Sequence, residues 1–66
     1  MGWYRFYCTA GGRIERGETH ECDDDVAARS VAAALLLLHA NRICEAVEVW
    51  DHDRKVTTVR RRDLQA

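Results

Sequence analysis

Residues 3–9 alternate strictly: Tyr4, Phe6 and Cys8 point one way, and Trp3, Arg5, Tyr7 and Thr9 the other, which is the two-residue period of a strand. Gly11 and Gly12 follow Ala10 and tolerate positive φ, so the pattern predicts a hairpin with residues 13–22 as the returning strand. That return is polar. Only Ile14 and Cys22 are clearly apolar, and Gly17 in its middle predicts a bulge or an early end to pairing, which suits a sheet edge.

The period then lengthens. Asp23, Asp24 and Asp25 provide short carboxylates for orphan backbone N–H groups and for the positive end of a helix dipole. The helix is predicted to run to about Ala40, with Asn41 in the left-handed conformation after it and Arg42 complementing its negative end. On a wheel of ~100° per residue, Ala27, Val31, Ala34 and Leu38 form a central stripe, flanked by Leu35 on one side and Val26 and Leu37 on the other. This is the expected core face. Ala32, Leu36 and Ala40 are left on the opposite side, so the helix is apolar almost all round and a second covered surface is expected there.

Residues 44–50 read as a further strand, with Val47 and Val49 opposing Ala46, Glu48 and Trp50. Asp51-His52-Asp53 has turn chemistry, and residues 55–59 form a last strand. Its register is open, because Val56 and Val59 fall on opposite faces. The expected architecture is α+β: a ββαββ order, with one helix packed on one face of a four-stranded, mainly antiparallel sheet. A single domain covers residues 1–66, ordered over about 3–60, with a frayed arginine-rich tail at 61–66.

A chain of 66 residues builds a thin core and gains from disulfides, metals or self-association. Ten Lys/Arg against eleven Asp/Glu leave no net field towards nucleic acid or anionic membrane. The apolar run 31–40 is far short of the ~20 residues needed to span a bilayer, and the first residues lack the apolar region of a signal peptide. The expectation is a cytoplasmic protein that does not enter the membrane. Three cysteines, an odd number, then argue for thiols rather than a disulfide framework.

His20-x-Cys22 with Cys8 and Cys44 falls short of a zinc site, which normally announces itself through two close ligand pairs. The two aspartate clusters are explained as a helix start and a turn. No nucleophile–base signature is present, and so short a chain has little room for a catalytic pocket. No metal, cofactor or catalytic residue is therefore expected.

The most informative surface is the outer sheet face, where Trp3, Arg5, Tyr7 and Trp50 form a candidate partner surface. Exposed aromatics interleaved with arginine anchor protein partners or stack bases, but the favoured reading is a cross-strand cluster that stiffens the sheet, because two tryptophans among acidic residues are poor evidence for a phosphate-binding surface. Arg60-Arg61-Arg62 is the only basic concentration, and nucleic acid is disfavoured as a partner.

Tyr4-Arg5-Phe6-Tyr7, the glycine turn, Arg13-Ile14, Glu21-Cys22-Asp23-Asp24-Asp25, the Ala/Leu helix, residues 46–51 and Arg54-Lys55-Val56 together form a pattern. It resembles that of short uncharacterised proteins widespread in alphaproteobacteria. The resemblance covers residues 3–59 and implies no activity or functional residue. The Leu35–Leu38 run and the arginine-rich tail depart from it. The expected function is a small non-enzymatic binding or regulatory module acting through protein–protein contacts. Alternatives are a phage-type or antitoxin-like inhibitor of a larger host protein and, third, a nucleic-acid-binding module. A homodimer is expected, by way of Ala32, Leu36 and Ala40, with pairing of the polar edge strand as the competing route.

Overall fold

The computed structural model describes residues 2–38 and 44–64. The first hairpin pairs β1 (Gly2–Ala10) with β2 (Arg13–Cys22). Between them Gly11 and Gly12 have φ of 59° and 79°, the positive values that a tight two-residue hairpin turn needs at both centres. Next to the turn Ala10 faces Arg13 and Thr9 faces Ile14, but Cys8 faces Arg16, so Glu15 is the extra residue of a bulge. The bulge expected at Gly17 is therefore displaced. Gly17 pairs regularly with Tyr7, and its missing side chain has a different use: a Cβ there would lie 3.2 Å from the Tyr7 ring. Beyond the bulge the faces of β2 exchange, so Glu18 and Cys22 align with core-facing Phe6 and Gly2, and Ile14 aligns with Thr9 on the outside.

Asp24 caps the helix α1 (Asp25–Leu38): its Oδ1 accepts the Ala27 N–H at 2.8 Å and its carbonyl the Ala28 N–H at 3.0 Å. The helix leads to β3 (Ala46–Asp51) and β4 (Arg54–Arg60). All pairings are antiparallel, in the sheet order β2-β1-β3-β4, so the expected ββαββ architecture is the one adopted. A second bulge settles the last strand. Val49 faces Thr57 and Trp50 faces Lys55, leaving Val56 as the extra residue. Both Val56 and the buried Val59 can then pack on the core.

The helix is rotated from the expected orientation. Ala28, Ala32 and Leu36 are at most 1% exposed and face the sheet, where Tyr4, Phe6, Val47 and Val49 complete the core. Ala27 and Val31 lie at the margin, while Ala34 and Leu38 of the expected core stripe are exposed. Small Ala28 and Ala32 let the helix sit close on the sheet, mainly over β3 and β4. The Asp25 carboxylate fixes its rotation, because it is held by Tyr4 and Arg54 from the sheet. Ala32 and Leu36 thus belong to the core of the protomer and cannot form a dimer surface. Ala40, the third residue expected there, lies outside the described residues, as do Asn41 and Arg42.

Two further expectations are corrected. Cys8 and Cys44 are joined in a disulfide that ties β1 to the segment entering β3, and only Cys22 is a thiol. Pairing of Thr9 with Ala46 brings the approach to β3 back across the end of β1, with Cα atoms of the two cysteines 5.6 Å apart, within the normal disulfide range. Of the tail expected to fray, residues 61–64 are folded. Residues Arg61–Leu64 form a 3₁₀ turn in which Asp63 accepts the Arg60 N–H at 3.0 Å, Arg61 donates to the Cys44 carbonyl at 2.7 Å, and Leu64 packs on the core.

Candidate functional site

One sheet face is covered by α1, and no element of the described residues covers the other. The register sets what the bare face presents: Arg5 stands directly opposite Trp50, and Tyr7 opposite Glu48. Trp50 is half-buried and donates its Nε1–H to Glu48 Oε1 at 3.2 Å, while Lys55 approaches the other carboxylate oxygen at 4.0 Å. The Tyr7 ring leans over Gly17, filling the gap left by the missing side chain. A shallow depression of about 320 Å³ results, lined by Arg5, Tyr7, Ile14, Glu48, Trp50 and His52.

Of the four residues expected to make a partner surface, Arg5, Tyr7 and Trp50 are thus brought together. Trp3 is on the same face but further along β1, opposite Glu21 and 59% exposed. Ile14 and His52 are additions. Ile14 reaches the outer face because the two-residue glycine turn sets it opposite Thr9, ahead of the bulge at Glu15. His52 has a φ of 57°, a conformation uncommon for residues with a Cβ, and it lines the depression from the turn between β3 and β4.

A network missed by the pattern lies on the helix side. Tyr4 Oη–H donates to Asp25 Oδ1 at 2.8 Å, and the Arg54 guanidinium reaches both Asp25 oxygens at 3.1 and 3.2 Å and Asp51 Oδ2 at 3.0 Å. The hydrogen bond to Asp25, with burial second, pushes the Tyr4 hydroxyl up to about 12. The hydrogen bonds from Arg54 and then Tyr4 hold the Asp25 carboxyl below its ordinary value, and the two carboxylates push the Arg54 guanidinium up. Tyr4, Asp25 and Arg54 are each held in their resting charge state, so the network acts as a brace between helix and sheet.

The arginine run lines a separate depression of about 390 Å³ with Thr9, Gly11, Gly12, Glu45 and Ala46. Glu45 already accepts the Gly11 N–H at 3.1 Å, and Arg61 is engaged with the Cys44 carbonyl. An internal carboxylate thus stands where a phosphate would need to bind. Burial pushes the Cys22 thiol up, with Asp23 and Asp24 adding to the effect, so it behaves as a small apolar side chain rather than a nucleophile. Among the described residues no three of His, Cys, Asp and Glu gather closely enough to hold a metal ion. No helix among them is long and apolar enough to cross a membrane. The thiols expected at Cys8 and Cys44 followed from the cytoplasmic expectation, and the disulfide does not fit that compartment.

Comparison with protein-family models, with curated proteins and with solved structures finds no match.

Proposed function

We propose that the chain is a small non-enzymatic binding module that takes a protein partner on the outer face of its sheet. The observation that supports this reading is the depression of Arg5, Tyr7, Ile14, Glu48, Trp50 and His52 on a face that no element of the described chain covers. Tyrosine, tryptophan and arginine are the side chains that most often dominate protein interfaces, since each buries a large area with few rotatable bonds and keeps one polar end for orientation. Here the hydrogen bond to Glu48 and the contact with Gly17 already hold two of the rings, so little conformational entropy remains to be lost on binding. The module's effect on its partner, inhibition included, would follow from occupying that partner's surface.

The test is affinity capture from the native host with the wild-type chain and with Tyr7→Ala and Trp50→Ala. The expected result is a stoichiometric protein retained by the wild type and lost from both variants, with melting temperatures close to that of the wild type. Retention by both folded variants contradicts the reading.

A further inference from the structure

An edge strand offers a row of unpaired backbone N–H and C=O groups, and a sheet with two such edges must protect or use them. The two edges here differ. Of the charged side chains on β4, Arg54, Lys55 and Arg60, all are cations, so pairing with its own copy gathers like charges. β2 instead carries both signs, with Arg13, Glu15, Arg16, Glu18 and Glu21, and residues 13–17 are all exposed.

We propose that β2 pairs with β2 of a second copy about a two-fold axis through Gly17, giving a continuous eight-stranded antiparallel sheet with both helices on one face. This goes beyond the outer-face reading and does not depend on it. The pleat restricts the choice of register. Residues directly opposite each other in an antiparallel pair share a sheet face, so when a strand pairs with its own copy, the two residue numbers must sum to an even value wherever the strand is regular. Past the bulge at Glu15, few registers remain. An axis through Arg16 sets Arg16 against Arg16, and one through Glu18 sets Glu18 against Glu18. An axis through Thr19 sets Arg16 against Cys22, and one through His20 sets His20 against itself. Only the axis through Gly17 sets Arg16 of each copy opposite Glu18 of the other.

Within one chain Arg16 and Glu18 already lie 3.7 Å apart, on side chains that are 50% and 27% exposed. The proposed register therefore closes an alternating ring of four charges around the axis. Gly17 puts no side chain between the two copies on the outer face.

Sedimentation equilibrium on the full chain tests this with Arg16→Glu, Glu18→Arg and the double exchange. Each single change converts two cross-strand attractions into repulsions and is expected to weaken association at least about tenfold. The double exchange restores the opposite signs and is expected to recover it. A wild type that stays monomeric at high micromolar concentration overturns the proposal, as do single variants that associate normally or a double variant that does not recover. Loss of association in Leu37→Glu, with the charge variants unaffected, overturns it in favour of the exposed helix face. Should a charge variant not fold, hydrogen exchange of the wild type decides: amides of β2 become protected as concentration rises if the proposal holds, and stay unchanged if it does not.

Discussion

Asp25 does at the residue scale what the apolar pattern could not: it chooses which side of an almost uniformly apolar helix meets the sheet. Its carboxylate joins Tyr4 of β1 to Arg54 of β4, and this coupling makes stability depend on pH at both ends. The folded-state pKa of Asp25 is depressed, so its contribution is complete above the ordinary carboxylate range and is lost as pH falls through the folded value. The Tyr4 pKa is raised from 10.0 to about 12, so its contribution is complete below 10 and is lost as pH rises towards 12. Chemical denaturation across pH is expected to show both losses, and Tyr4→Phe to remove the alkaline one and weaken the acid one. An alkaline loss of the same size in Tyr4→Phe contradicts the assignment.

At the scale of elements, strands and helix were legible because their periods differ, while rotation and register were not. The stripe Ala28, Ala32, Leu36 is as apolar as the stripe Ala27, Val31, Ala34, Leu38, so a helical wheel has no polar side to orient it. The capping Asp24 was visible as a short carboxylate before an apolar run, and it caps as that pattern suggests. The bulges at Glu15 and Val56 have no local signature, yet one aligns Glu18 and Cys22 with core-facing Phe6 and Gly2 and the other lets both Val56 and Val59 reach the core. The helix rotation has a direct consequence. Leu36→Glu buries an unpaired carboxylate at a site 1% exposed and is expected to unfold the chain, because a domain of this size has only about 3–5 kcal/mol from its core. Leu37→Glu, at a site 64% exposed, is expected to change stability by less than about 0.5 kcal/mol. Thermal melts of the two variants check this, and the reverse order would restore the expected helix face.

For the whole molecule, the disulfide supplies what a thin core lacks. Cys8 and Cys44 are 36 residues apart, and closing a loop of that length restricts the unfolded chain by about 4 kcal/mol in the chain-entropy account. Thiol labelling after denaturation without reductant is expected to find one free cysteine, Cys22, and reduction is expected to lower the melting temperature sharply. Three free thiols in the native protein would contradict the pairing. The cysteine count could not reveal it, since an odd number suits either three thiols or one bridge and one thiol. The choice depends on where β3 begins, which is a matter of strand pairing. The candidate surface was more legible, because Arg5, Tyr7 and Trp50 follow from alternation alone, whereas Ile14 and His52 depend on the geometry of the two hairpin turns.

The claim that joins these scales is that the bare sheet face, not the helix, receives the partner. Titration of the captured partner into the isotope-labelled chain, followed by NMR, tests it most directly. Amide shifts are expected to concentrate at Arg5, Tyr7, Ile14, Glu48, Trp50 and His52. Shifts centred instead on Val26, Leu37 and Leu38 of the helix, with the sheet face unmoved, would contradict it.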